Sequence, residues 1–239
     1  MQTHSVSRTS AGLLLAGVLL TTVAQAGAPE SFACEAEARQ DQFIAAALQM
    51  DLSRENALVL YELSGGAATD SVTGFAPAND RGPTVERALN STGASQSEKA
   101  YYVEVDIQNL GGLNAELGHA GADAVYTRIS QITAQHIESL RADDQTCSFR
   151  HGGDEFSFVL VGSDSSKAEV EAALSAADQE IRAYIASRGL ADIEHPKHPD
   201  NKAKSGAGII FGVSQIGGQA QLAEVYSAAD KVVEQKKNL

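Results

Sequence analysis

Two adjacent carboxylates, Asp154 and Glu155, follow a pair of glycines in the stretch RHGGDEF, between segments that alternate like β-strands. A third carboxylate, Asp106, ends the β-branched and aromatic run AYYVEVD. Like charges held close together are costly unless a cation neutralises them, and Mg²⁺ prefers such hard oxygen ligands. Metal ions held by carboxylates stabilise the attacking and leaving oxygens of an in-line displacement at phosphorus. If the fold brings the two segments together, these residues predict a metal site for phosphoryl chemistry.

The glycines Gly152 and Gly153 fit this chemistry in two ways. A residue without a side chain permits positive φ in a turn and lets a phosphate or base approach the backbone. The alternative is an ordinary surface hairpin with a solvated Asp-Glu pair, because short motifs also arise by chance. Features elsewhere in the chain must decide between the two interpretations.

The order of predicted elements brings the carboxylates together. Strands are predicted at residues 100–106, 147–150, 156–161 and 208–214, and helices at residues 112–141, 166–189 and 222–237. This β-α-β-β-α-β order is typical of a ferredoxin-like α+β sheet with helices on one face. The end of its first strand lies beside the tip of its central hairpin. Asp106 is therefore expected close to Asp154 and Glu155.

The N-terminus has the pattern of an export signal. Arg8 precedes a short apolar run, and Ala24-Gln25-Ala26 is a small-residue cleavage site. The run is too short to indicate a transmembrane span. We therefore predict a signal peptide at 1–26, a helical extension at 27–64, a catalytic-type domain at 65–239, a periplasmic or secreted location and no stable membrane insertion after cleavage. The alternative is an uncleaved N-terminus that anchors the chain to the membrane.

The net charge of the chain limits the classes of partner that it is expected to bind. Residues 27–239 contain 17 Lys and Arg against 31 Asp and Glu, so that their net charge is −14. A nucleic-acid polymer or an anionic membrane requires a basic surface, which this composition argues against. A phosphate-bearing ligand would therefore need metal ions and a few local cations.

The chain has two cysteines, Cys34 and Cys147. An even count in an exported protein suggests one disulfide, which would tie the N-terminal extension to the strand before the hairpin. Two buried free thiols are the alternative.

A long polar loop, residues 191–206, contains His195-Pro-Lys-His198. Its length for a compact domain indicates an insertion or a functional loop. The two histidines could form half of a zinc site with His151 or His119, although histidines in a polar loop are usually solvent-exposed.

Five ordered pieces across residues 65–239 resemble the GGDEF family, the diguanylate cyclases that condense two GTP into cyclic di-GMP. The pieces are DSVTGF, VDIQNLGGLNAELGHAGAD, RHGGDEF, GIIFGVS and AADKVVEQKK. The resemblance implies a nucleotidyl-cyclase-type sheet and Mg²⁺, or Mn²⁺, assisting attack of a 3′-hydroxyl on an α-phosphate. It also implies a homodimer, because each half-site binds one GTP and two must face each other.

The resemblance assigns catalytic roles to matching residues. Asp106, the Ile107 carbonyl and Asp154 would bind the metal. Asp154 would also help to deprotonate the attacking hydroxyl, and Glu155 would support the site.

It assigns substrate contacts as well. Asn114, His119 and Asp123 occupy positions that contact the guanine nucleotide, and an amide with a carboxylate suits a base edge that both donates and accepts. Lys237 falls where the family places a phosphate-contacting lysine.

Several positions depart from the family pattern. Gly111 replaces a phosphate-contacting lysine, Leu110 a phenylalanine, Gln108 an aspartate and Ala122 a glycine, and no arginine follows in the tail of the last helix. An RxxD motif at 141–144 lies out of register for an inhibitory site. Fewer phosphate cations should weaken transition-state stabilisation. The alternative function is therefore a weak or inactive exported module that binds nucleotide or a protein partner.

Overall fold

The computed structural model describes residues 34–64, 69–94, 99–140, 145–162, 165–201, 204–217 and 220–238. The predicted signal peptide and the RxxD motif at 141–144 lie outside these residues. None of the described helices combines the length and the apolar character needed to cross a bilayer.

The strands of the described residues form one mixed sheet. They are β1 (Ala76–Pro77), β2 (Ala100–Gln108), β3 (Gln145–Arg150), β4 (Glu155–Val161) and β5 (Gly208–Ile216). Their order is β1-β3-β4-β2-β5, with β1 parallel to β3 and the other neighbours antiparallel. This confirms the predicted α+β, ferredoxin-like order, to which β1 adds an edge strand that the sequence pattern did not predict.

Six α-helices accompany this sheet within the described ranges. They are α1 (Glu35–Gln49), α2 (Arg54–Leu63), α3 (Arg81–Ala94), α4 (Leu110–Glu138), α5 (Lys167–Ser187) and α6 (Leu222–Lys237). The helix α5 begins with a capping box. The Ser166 hydroxyl accepts a hydrogen bond from the Glu169 amide, and the Glu169 carboxylate accepts one from the Ser166 amide. The helix α4 is interrupted at Gly118, whose φ of 68° lies in the left-handed region.

Helices cover both faces of the sheet. Alternate residues of β2 point to opposite sides, and nearly all of them are buried. Tyr101, Val103 and Val105 share one core with α4 and α5, whereas Ala100 and Tyr102 share another with α3 and α6. The ferredoxin-like order predicts only the first layer, since α3 and α6 lie outside the motif. The second layer holds α6 against the strand that ends at the carboxylates.

An ion pair and a disulfide attach the N-terminal extension to this domain. The Arg39 guanidinium lies 2.7 Å from the Asp80 carboxylate, which is almost completely buried. A disulfide joins Cys34 to Cys147 across 113 residues, with their Cα atoms 5.6 Å apart. The helices α1 and α2 therefore belong to the folded unit through both an ion pair and a covalent link.

Removing this disulfide is expected to lower the free energy of unfolding by about 3 kcal/mol, because a cross-link over a long loop restricts the unfolded chain. The double variant Cys34→Ala/Cys147→Ala should show the loss in urea denaturation. Dithiothreitol should reproduce it in the wild type and leave the double variant unchanged. Equal midpoints for oxidised and reduced wild type would contradict the prediction.

Candidate active site

The end of β2 and the hairpin between β3 and β4 meet at one point. Asp106 pairs with Glu155 in the antiparallel register of β2 and β4, so that their side chains lie on the same face. The Ile107 amide donates to the Asp154 carbonyl at 2.8 Å. Backbone pairing thus carries Asp154 and Glu155 to Asp106, as the element order implied.

Three carboxylates converge here. Oxygens of Asp106, Asp154 and Glu155 all lie within 4.8 Å of one another. Burial raises the pKa of Asp106 to about 6, Lys237 opposes this rise, and the charges of Asp154 and Glu155 add to it. A group of carboxylates whose charge is this unfavourable fits a divalent cation, which would take their oxygens as ligands.

Lys237 supplies the nearest positive charge. Its Nζ lies 2.8 Å from an Asp106 oxygen, 3.4 Å from Glu234 and 4.0 Å from Glu155. Burial alone would lower the pKa of Lys237, but the hydrogen bond and charge of Asp106, together with Glu234 and Glu155, raise it. The lysine predicted to contact phosphate therefore offsets part of the negative charge of Asp106 and Glu155.

A cleft of about 740 Å³ opens beside the carboxylates. Asp106, Ile107 and Asp154 line it from the strand end and the hairpin. Its cationic lining consists of Lys197, Lys204, Lys236 and Lys237, and His195 and His198 line it as well. The cleft thus combines acidic, metal-compatible groups with several cations, a combination suited to a metal-bound polyphosphate.

The two signature glycines act differently from the sequence prediction. Neither Gly152 nor Gly153 has positive φ, so that part of the prediction is wrong. A Cβ at Gly152 would lie 2.7 Å from a Glu155 carboxylate oxygen, whereas a Cβ at Gly153 would meet nothing within 4 Å. Gly152 therefore leaves room for Glu155, and Gly153 leaves open space at the hairpin tip.

A second group of polar side chains, around His151 and Glu104, lies next to Glu155. The His151 ring lies 3.1 Å from Glu104 through Nε2 and 3.8 Å from Glu155 through Nδ1. The Tyr102 hydroxyl donates to Glu104 and accepts from Arg81 at 3.2 Å. The Arg81 guanidinium, the Tyr102 hydroxyl and the His151 ring therefore surround the Glu104 carboxylate, which is itself nearly buried.

Sequence reasoning missed Glu104, although a signal was present. Glu104 precedes Asp106 by two residues in β2, so both side chains point to the same face. A carboxylate two positions from a candidate metal-binding residue, in an otherwise apolar strand, indicates a network of polar side chains next to that residue.

The segment DSVTGF fixes the hairpin from the other side. Asp70 accepts hydrogen bonds from the Thr73 amide and hydroxyl, both at 2.8 Å. Arg150 donates through Nη1 to both Asp70 oxygens at 3.1 Å and through Nη2 to the Gly153 carbonyl at 3.2 Å. The Arg150 guanidinium also lies 4.3 Å from the Tyr126 ring centroid. This segment therefore positions the tip that carries Asp154.

The predicted base contacts lie apart from the cleft lining. Asn114 lies in α4 before the interruption at Gly118, and His119 and Asp123 follow it with exposed side chains. None of the three lines the cleft among the described residues. Their role in contacting guanine stays a prediction.

The histidines of the polar loop do not complete a zinc site with His151. The two metal-compatible groups among the described residues are Glu104 with His151 and Glu155, and Asp106 with Asp154 and Glu155. The His195 and His198 rings lie 5.0 Å apart at the cleft, in neither group.

A ferredoxin-like sheet with an acidic, metal-compatible site where β2 meets the hairpin defines a nucleotidyl-cyclase type of domain. Residues 67–239 match the family described as "Diguanylate cyclase, GGDEF domain". The chain therefore belongs to the GGDEF domain family. No curated protein sequence matches it significantly.

Solved structures share this fold at low identity. The coiled coil and GGDEF domain of DgcB from Caulobacter crescentus, in complex with c-di-GMP, is 19% identical, with a TM-score of 0.57 over 84% of this chain and 94% of that one. The diguanylate cyclase SiaD from Pseudomonas aeruginosa, in complex with its activator SiaC, is 17% identical, with a TM-score of 0.53 over 84% and 68%. The FimX GGDEF domain from the same organism is 15% identical, with a TM-score of 0.52 over 70% and 91%.

Proposed function

We propose that this chain condenses two GTP molecules into cyclic di-GMP. The observation that carries the proposal is the convergence of Asp106, Asp154 and Glu155 beside a cleft with a cationic lining. Membership of the GGDEF family supports it. The overall reaction forms two phosphodiester bonds at α-phosphorus atoms and releases two pyrophosphates.

The residues present define how the site would work. Asp106, the Ile107 carbonyl and Asp154 would hold Mg²⁺ or Mn²⁺, with Glu155 beside them. The metal would stabilise charge on the attacking and leaving oxygens. Asp154, which lines the cleft from the hairpin tip, would accept the proton of a 3′-hydroxyl. Lys237, whose Nζ lies 2.8 Å from an Asp106 oxygen, would donate a charge-assisted hydrogen bond to a phosphate oxygen of the bound nucleotide.

Catalysis by this arrangement needs two chains. One cleft presents one α-phosphate to one metal site, while cyclic di-GMP contains two guanosine units joined by reciprocal bonds. A homodimer with facing clefts would supply each 3′-hydroxyl to the opposite α-phosphate.

The direct test incubates the purified protein with GTP and Mg²⁺ and measures cyclic di-GMP by chromatography. We expect product from the wild type, a specific activity that rises with enzyme concentration, and a loss of at least about 10³-fold in Asp154→Ala. The variant must retain wild-type circular dichroism and a similar melting temperature. A wild type that yields no product at high concentration would overturn the proposal.

A second candidate function is an exported module that binds nucleotide or a protein partner without efficient turnover. The Cys34–Cys147 disulfide favours it, because disulfides persist in oxidising compartments, where GTP is not made. Calorimetry distinguishes the candidates: binding of GTP or cyclic di-GMP without turnover would support the module, and binding of neither would remove its nucleotide-sensing form.

We also propose that the protein is periplasmic or secreted. The export-signal pattern of residues 1–26 and the disulfide support this location. An N-terminus beginning at Gly27 in the isolated mature protein would establish cleavage, and an intact N-terminus in the membrane fraction would favour the anchored alternative.

A further inference from the structure

The loop between α5 and β5, of which the structure describes residues 191–201 and 204–206, is attached to the end of the strand that carries Asp106. The Asn109 side-chain amide donates to the Ile193 carbonyl at 3.1 Å and to the Gly206 carbonyl at 2.8 Å. The two ends of the loop are also joined directly, because the Gly206 amide donates to the Ile193 carbonyl at 2.8 Å. A single, almost fully buried side chain thus holds both ends of the loop.

Asn109 is suited to this task by its own backbone. Its φ of 60° is left-handed, a conformation that asparagine tolerates better than most residues, and its side-chain oxygen caps α4 by accepting from the Gly112 amide. The loop base, the start of α4 and the metal-site strand therefore meet at one residue.

The far part of the loop forms a wall of the cleft. His195, Pro196, Lys197 and His198 line it from a tight turn, in which the His198 amide donates to the His195 carbonyl at 2.9 Å. Pro196 fills the space above Gly111: a Cβ at that position would lie 3.2 Å from the Pro196 Cγ. The loop therefore occupies the place that a longer side chain at residue 111 would need.

The loop also changes the charge of the cleft. The whole chain has a net charge of −13, yet four lysines face two aspartates here. Asp106 engages Lys237, and Lys236 donates to the Phe211 carbonyl at 2.8 Å. Lys204 donates to the last-turn carbonyl of Lys237 at 3.0 Å. Within the part of the chain that the structure describes, the Lys197 ammonium has neither a hydrogen bond nor an ion pair.

We propose that this loop is the polyphosphate-binding wall of the site, in which Lys197 and Lys204 contact the β- and γ-phosphates of a nucleoside triphosphate. The inference rests on the proposed nucleotide function and adds residues to it. Cations beside the leaving pyrophosphate stabilise its developing charge. The loop would thereby replace the phosphate contact that Gly111 cannot make.

Equilibrium binding of GMP and of GTP, supplied as its unreactive 3′-deoxy analogue so that no product forms, tests this assignment in the presence of Mg²⁺. In Lys197→Ala/Lys204→Ala, we expect the affinity for GTP to fall about 10- to 100-fold, because each lost contact is a charge-assisted hydrogen bond to phosphate. The affinity for GMP should change less than about twofold, because GMP lacks the two outer phosphates. Lys197→Arg/Lys204→Arg should retain most of the GTP affinity.

The matched control is Lys167→Ala/Lys231→Ala, which removes the same charge from α5 and α6 outside the cleft lining. It should leave both affinities unchanged. Unaltered GTP binding in Lys197→Ala/Lys204→Ala, or an equal loss for GTP and GMP, would overturn the loop assignment alone. A wild type that binds neither nucleotide would overturn the proposed function and the loop assignment with it.

Discussion

Replacing Asp106 by asparagine is expected to stabilise the metal-free protein while abolishing the proposed cyclase activity. The pKa of Asp106 is raised from 3.8 to about 6, chiefly by burial, so ionising it at neutral pH costs about 3 kcal/mol of folding free energy. That cost is already net of the attraction between Asp106 and Lys237, so asparagine removes it without a further loss from that pair. Because the buried amide must itself be desolvated, the expected gain is about 1–2 kcal/mol. The proposed activity should fall at least about 10³-fold, because the variant loses a carboxylate proposed to hold the metal.

The pH dependence of this effect has a definite sign. Because the pKa in the folded protein is raised, the stability that Asp106 contributes is complete below pH 3.8 and lost as the pH rises through about 6. Urea denaturation in EDTA should therefore show little difference between wild type and Asp106→Asn at acidic pH and a growing advantage for the variant towards pH 8. Added Mg²⁺ should stabilise the wild type and leave the variant unchanged.

Asp70→Asn is the matched control, because the same substitution should have the opposite effect there. Burial alone would raise the pKa of Asp70, but hydrogen bonds from Thr73 and the charge of Arg150 outweigh it and lower the pKa. Asp70→Asn should therefore destabilise the protein at neutral pH. A loss of stability in Asp106→Asn, or a Mg²⁺ response equal to that of the wild type, would contradict the assignment of Asp106.

Gly212→Ala is expected to destabilise the protein by about 3 kcal/mol or more, because α6 leaves no space for a side chain on β5. A Cβ at Gly212 would lie 2.1 Å from the Ala229 carbonyl oxygen and 2.8 Å from its carbon. Both are backbone atoms, so the whole helix must move. That helix carries Lys236 and Lys237, so activity should fall even where the variant remains folded.

The control for this substitution is Gly82→Ala in α3, where a Cβ would meet nothing within 4 Å. The stability of this variant should be unchanged or slightly higher, because alanine has a higher helix propensity than glycine. Urea midpoints compared at constant m-value give the measurement. Similar midpoints for Gly212→Ala and wild type would show that α6 can withdraw from β5 at little cost.

The fold was predictable where local patterns were long. The final helix follows from residues 222–237, and β2 from the run that ends at Asp106, because apolar periodicity identifies long elements well. The edge strand Ala76–Pro77 was not predictable, because two residues give no periodicity. Its pairing with β3 also joins segments about 70 positions apart in the sequence. The disulfide could be suggested from the even number of cysteines together with the predicted export signal.

The candidate site was predictable in part. The element order placed Asp106 near the hairpin, because strand adjacency follows from topology. It could not place the polar loop over the cleft, since that depends on the side chain of Asn109 reaching the Ile193 and Gly206 carbonyls. Nor could it give the backbone angles of Gly152 and Gly153, because a glycine can adopt either sign of φ.

The Cys34–Cys147 disulfide has a consequence for the integrity of the molecule. It closes a covalent ring that contains α1, α2, β1, α3, β2 and α4. A protease that cuts the chain once anywhere inside that ring therefore releases no fragment, because the two pieces stay joined through sulfur. Such a nicked molecule would migrate as one band on a denaturing gel without reductant and as two bands with it. In an environment rich in proteases, the strand that bears Asp106 would remain tethered to the hairpin that bears Asp154.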